Sequence, residues 1–255
     1  HDCGPRPPAW AGAPRTDWDS VERELARFAA IGCRVVRLWM IGAGVNLAVG
    51  RHPSEVARRV PIRRRWRFWH VLGERWAWRD RPRLPRAFLD DFEALLGRAR
   101  AAGVTLIPSL VSFELFLPIR DMGPVPTQGH AEVALSRGFF DATLEPLLDV
   151  AERHRGALEA FEIVNEPGWS VGPRRPKVAP ERMAAFVVEG ARRVARRGMR
   201  ATVGFTDAAM PWMPDDARAA LARTAVDGRY LHQLHHYPRV GERLAPASAS
   251  PIRPV

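Results

Sequence analysis

Phe161-Glu162-Ile163-Val164-Asn165-Glu166-Pro167 is the stretch on which the reading of this chain turns. A short apolar run ends in an amide, a carboxylate and a proline. Such a run, bounded by turn signals, is a buried strand, expected here over 160–164. Pro167 has no N–H to continue a ladder, so the chain must turn there. A carboxylate that directly follows a strand is thereby placed at the mouth of a sheet. Glu162, inside the run, alternates away from Asn165 and reads as structural.

The same unit recurs on both sides. A helical face of Val21, Leu25, Phe28 and Ala29, capped by Asp19 or Ser20, ends at Gly32 and leads to a strand over 34–40. A second helix carries Phe88, Phe92, Leu95, Leu96 and Ala99, closes at Gly103, and precedes a strand over 104–111. A third, over about 139–154, turns Leu144, Leu147, Leu148 and Ala151 inward, with Pro146 near its start or at a kink. A fourth opens on Pro180 and buries Met183, Phe186, Val187 and Val194. Arg192, Arg193, Arg196 and Arg197 crowd its C-terminal end, where the helix dipole favours cations. Gly198 stops it before a strand over 201–205. A weaker helix over 215–223, closed by Gly228, precedes the strand 230–235.

Five helix–strand units, each helix closed by glycine, predict an α/β fold with a parallel sheet under a helical coat. The segments 42–85, 118–134 and 167–180 all follow strands and fall on one face of it. Barrel enzymes build their sites on that face. The first of these, 41–86, reads as a long insertion with Trp66, Trp69, Trp76 and Trp78. Residues 1–255 are expected to form one domain.

The net charge of +11 invites a nucleic-acid reading, through Arg63-Arg64-Arg65-Trp66-Arg67 and its interleaved aromatic residue. The composition argues otherwise. Of the 39 basic residues only Lys177 is lysine, and 23 prolines accompany the arginines. That bias matches a GC-rich coding sequence better than selection for phosphate contacts, and no nucleic-acid partner is expected. No apolar run reaches the roughly 20 residues that cross a bilayer, so no membrane partner is expected either. Two cysteines, Cys3 and Cys33, make neither a disulfide framework nor a zinc site. His1, His52, His70, His130 and His154 lack ligand spacing, and no cofactor or metal is implied.

Four places give these observations a family. Val36-Arg37-Leu38-Trp39, Asn165-Glu166-Pro167, His235-His236-Tyr237-Pro238 and the glycine-closed helix before each strand resemble the clan A glycoside hydrolases, in particular the family-five-like cellulases and β-mannanases. The resemblance implies a (β/α)8 barrel, of which strands two to six are recognisable here. It also implies a retaining two-carboxylate hydrolysis of β-linked glycans, on an oligo- or polysaccharide substrate. Glu166 would be the acid/base, Asn165 would hold a substrate hydroxyl, Arg37 would sit under the carboxylates, and Tyr237 would contact the nucleophile. His235 would line the cleft. Trp39, Trp169 and Trp212 are candidate platforms for sugar rings, and Glu114 is a further carboxylate at a strand end.

Arg37 also reads as a barrel-interior ion-pair residue, and Tyr237 as a packed aromatic. The nucleophile of this family is a glutamate on the seventh strand, and no apolar run after Pro238 supplies one. The expectation is therefore an incomplete barrel, inactive by itself. A carbohydrate-binding protein that keeps the cleft without turnover is the alternative.

Overall fold

A computed structural model describes residues 16–42, 57–66, 69–78, 83–116, 131–172, 178–206, 210–225 and 228–235. In chain order its strands are β1 (Val35–Gly42), β2 (Ala57–Trp66), β3 (Trp69–Trp78), β4 (Thr105–Ser112), β5 (Phe161–Asn165), β6 (Ala201–Phe205) and β7 (Tyr230–Leu234). Its helices are α1 (Trp18–Ala30), α2 (Arg86–Ala101), α3 (Ala131–Ala134), α4 (Phe139–Arg153), α5 (Pro180–Arg196) and α6 (Asp215–Ala225). β1, β4, β5, β6 and β7 form one parallel sheet in that order. Each strand thus pairs with the next one that a helix delivers. Unbroken sequential order is the winding of a barrel; a doubly wound sheet would reverse direction at a switch point.

The five expected strands are all present, with ends that move by no more than two residues. Local chemistry explains the shifts at the helix ends. α1 is capped by Asp17, whose side chain accepts the Ser20 N–H at 3.1 Å, rather than by Asp19 or Ser20. Gly32, Gly103, Gly198 and Gly228 close their helices at φ between 66° and 80°, the left-handed stop that a Cβ disfavours. α4 is the exception to the glycine rule. It passes through His154 into the 3-10 turn Arg155–Ala157, so Gly156 is no left-handed stop. Pro146 stands inside α4, beyond its first turn, and the helix continues through it.

The 41–86 segment holds more than a connection. Within it, β2 and β3 pair antiparallel from Ala57↔Trp78 to Trp66↔Trp69, as a two-stranded sheet separate from the main one.

Apolar faces of α2, α4 and α5 cover the sheet, with Leu96, Ala99, Leu144, Leu147, Met183, Val187 and Val194 fully buried. α5 approaches β5 closely because Gly190 has no side chain; a Cβ there would lie 2.5 Å from Ile163 Cγ2. Phe186 joins α5 to its neighbours, stacking on Phe140 at 4.6 Å and meeting Phe116 edge-on at 5.4 Å.

Outside this core the helices are tied by charge. Arg193 reaches Asp141 (2.5 Å), Glu145 (3.1 Å) and Glu189 (2.8 Å), and Arg197 reaches Glu145, Asp149 and Glu152 at 2.9–3.0 Å. Two of the arginines crowded at the end of α5 therefore bridge to α4, beyond any role toward the helix dipole. Among the described residues, no helix is long and apolar enough to cross a membrane.

Candidate active site

β5 ends at Asn165, and Glu166 takes the next position in a left-handed conformation (φ 50°, ψ 49°). For a residue with a Cβ this costs on the order of 1 kcal/mol. The local frame holds it there. The Glu166 N–H donates to the Gly204 carbonyl at 2.7 Å, and its own carbonyl accepts from the Trp169 N–H at 3.1 Å. Pro167–Ser170 forms a 3-10 turn, closed further by the Ser170 hydroxyl donating to the Pro167 carbonyl at 2.8 Å. The carboxylate of Glu166 is consequently turned off the strand line and nearly buried, with a side chain 9% exposed.

His235, the residue after β7, brings Nδ1 within 2.8 Å of Glu166 Oε1. Below this pair lies a second polar group. Arg37, on β1, donates from Nε to Glu162 Oε2 (2.8 Å), and from Nη2 to Glu162 Oε1 (3.0 Å) and Asn165 Oδ1 (2.8 Å). Glu162 has no solvent exposure and takes a third donor, Gln233 Nε2, at 3.2 Å. The Gln233 amide in turn lies 2.6 Å from His235 Nε2. Asn165 continues the network from its other side, donating Nδ2–H to Ser112 Oγ at 3.3 Å, while the Ser112 hydroxyl donates to Glu114.

All five strands of the main sheet, with the strand-end residues Glu114 and His235, therefore contribute to the group around Glu166. Of the residues singled out by sequence, Arg37, Asn165, Glu166, His235 and Glu114 belong to one hydrogen-bonded network. Trp39 carries the Arg37 guanidinium over its ring at 4.4 Å. Trp169 lies on the turn after Glu166, 55% exposed, with Phe113 at 6.4 Å. Trp212 is half-buried against Phe205 (6.3 Å), and its indole would be 3.2 Å from a Cβ on Gly168. Tyr237, like His236 and Pro238, lies outside the described residues.

Four participants, Glu162, Gln233, Gly204 and Ser112, were not singled out by sequence. Glu162 was expected to face away from Asn165, yet both reach the same guanidinium. Strict alternation does not describe this stretch: the β5–β6 register shifts by one residue between Glu162 and Asn165, while the β4–β5 register runs through unshifted. Its signal was compositional: a carboxylate inside an apolar strand needs a buried cation, and Arg37 reaches it from β1, two strands away across β4. Gln233 carried no such signal. Gly204 is needed for space, since a Cβ there would fall 2.4 Å from Glu162 Oε1 and 2.6 Å from His235 Cε1.

No protein-family model matches the chain, and no curated protein matches it. Solved structures do. The chain is similar to a β-mannanase from the blue mussel Mytilus edulis at 14% identity and TM-score 0.54, over 86% of this chain and 62% of that one. A β-1,4-mannanase from the sea hare Aplysia kurodai matches at 15% identity and TM-score 0.57, over 86% and 64%. An endo-1,4-β-mannanase from Eisenia fetida matches at 16% identity and TM-score 0.53, over 93% and 65%. The chain thus spans somewhat under two thirds of the length of each. At these identities the likeness is one of fold, and it agrees with the winding of the sheet: the chain folds as consecutive β/α units of a (β/α)8 barrel.

Proposed function

We propose that this chain carries the acid/base part of a glycoside hydrolase site for β-linked glycans, with Glu166 as the proton donor. One observation supports this above the others: a nearly buried carboxylate, held in a strained turn at a strand's C-terminal end, with His235 Nδ1 at 2.8 Å. A leaving oxygen needs a proton from a group placed before the reaction begins, and such a turn fixes that placement. Asn165, its carbonyl oxygen engaged by Arg37 and one amide hydrogen by Ser112, offers its second amide hydrogen to a sugar hydroxyl. Trp169, exposed beside the turn, offers an aromatic face to a sugar ring, and the 41–86 segment would flank the same cleft. In a retaining reaction Glu166 first protonates the leaving group and then, as base, activates the water that releases the sugar.

That reaction needs a second carboxylate roughly 5 Å away as nucleophile. No described residue is offered for that part, since Glu162 is engaged by Arg37 and Gln233, and Glu114 by Ser112. This favours the second reading for the chain taken alone: glycan binding without turnover. Because its likenesses in fold are mannanases by name, β-1,4-mannan is the first substrate to test. The experiment compares the 255-residue chain and its full-length gene product on mannan and glucan, each with and without Glu166→Gln. Hydrolysis by the full-length protein, lost by roughly 10²- to 10⁴-fold in the variant, is the expected result. Turnover that survives the substitution unchanged would remove Glu166 from the reaction. Binding without hydrolysis in both forms would leave the binding protein.

A further inference from the structure

We propose that Gln233 is a positioning residue that decides which nitrogen of His235 carries the proton. The consequence for catalysis rests on the reading of Glu166 as proton donor; the proton assignment itself does not.

The argument follows donors and acceptors outward from the buried ion pair. Glu162 receives N–H groups from Arg37 on both oxygens, so it is a carboxylate and can only accept. The side-chain nitrogen of Gln233 lies 3.2 Å from Glu162 Oε1. Turning the amide over would set its oxygen against the carboxylate with no proton between them. The NH2 group therefore faces Glu162. That same nitrogen lies 2.6 Å from His235 Nε2. An amide nitrogen donates and does not accept, so Nε2 must be the bare nitrogen of the ring. In the neutral imidazole the proton is then on Nδ1, where it points at Glu166 Oε1 across 2.8 Å.

Two further observations agree. His235 Nε2 stands 3.9 Å from Glu162 Oε1, too far for an Nε2–H to use that carboxylate directly. The Gln233 side-chain oxygen is buried with no partner among the described residues, so its own hydrogen bonding does not set the amide's orientation. Gly204 keeps open the space in which Glu162 and His235 meet. The polarity runs from Arg37 to Glu162, and from Gln233 both back to Glu162 and on through His235 to Glu166. With Oε1 accepting from Nδ1–H, a proton on Glu166 sits on Oε2, and the rotamer of the carboxyl group is fixed.

Nitrogen-15 NMR of the full chain, labelled at histidine, tests this without any turnover. Two-bond nitrogen–proton spectra are recorded above the ordinary histidine range, where the rings are neutral, and His235→Gln identifies the signals. The wild type is expected to show His235 as the Nδ1–H form. Gln233→Leu removes the donor to Nε2 and is expected to raise the share of the Nε2–H form against the hold of Glu166 Oε1 on Nδ1–H, and Gln233→Glu, which sets an acceptor against Nε2, to raise it further. A wild-type Nε2–H signal, or an Nδ1–H signal unchanged in Gln233→Leu, would overturn the proposal. In the full-length protein on mannan, Gln233→Leu should lower kcat by roughly 10-fold or more with little change in KM. A tautomer that changes while kcat does not would leave the proton assignment standing and count against Glu166 as the donor.

Discussion

Removing Arg37 would leave Glu162 fully buried and deprived of both its short charged contacts. An uncompensated buried charge is costly, so Arg37→Met is expected to destabilise the chain by about 3 kcal/mol, read by urea unfolding. Arg37→Met combined with Glu162→Leu should recover most of that loss, because the pair is then replaced by apolar contact rather than broken. A double variant no more stable than the single one would show that Arg37 acts chiefly through Asn165. At this scale the sequence was legible where a residue type follows a strand directly, as with Glu166 and His235. It was illegible where position depends on register. Glu162 and Asn165 meet one guanidinium from two strands away, which no single-strand alternation announces, and Gln233 acquires its role only from two acceptors on other parts of the chain.

Elements were easier to read than residues, because their signals are repeated. A helix of three or four turns offers its apolar stripe several times, and the central strands β4, β5 and β6 are runs of buried side chains. Glycine shows the limit of that reading, since two glycines inside helices look alike in sequence. Gly190 on α5 abuts Ile163 and Phe140, whereas Gly97 on α2 has open space where a Cβ would stand. Gly190→Ala must displace Ile163, at a cost of roughly 1–3 kcal/mol that exceeds the gain in helix propensity. Gly97→Ala meets nothing and should stabilise by about 0.5–1 kcal/mol. Thermal unfolding of the two variants should therefore move in opposite directions, and a shift of the same sign in both would contradict the close approach of α5 to β5.

Over the whole molecule, the helical coat is joined by arginine–carboxylate pairs, and their response to pH has a definite sign. Contact with Arg155 and Arg197 holds the Glu152 carboxyl below its ordinary value near 4.5, and Arg153 and His154 do the same for Glu93. A carboxylate depressed in the folded state contributes stability above its unfolded value and loses it as pH falls through the folded one. His232 acts in a higher window. Burial beside Phe205, with neither ring nitrogen partnered among the described residues, holds its imidazole below the ordinary 6.5. Its neutral form is favoured by folding, so that contribution is complete above 6.5 and declines as pH falls below it. The melting temperature should fall in two stages on acidification. His232→Leu should flatten the first and Glu152→Gln part of the second, and a profile unchanged by either would show that other groups carry the acid sensitivity.

The sequential winding of the sheet has a consequence for how the chain acquires its structure. Each described strand of the main sheet pairs with its successor, so the loop to be closed is always the single unit between them. Closure entropy is paid in small instalments rather than in one long-range step. A ribosome releasing this chain from its N-terminus can therefore complete β1–β4 pairing before β6 exists, and Arg37 is in place before Glu162 arrives. Glu166, whose backbone is tied to Gly204 and whose side chain is tied to His235, is oriented only once β6 and the residue after β7 have emerged. The residue proposed to do the chemistry is made early and becomes competent late.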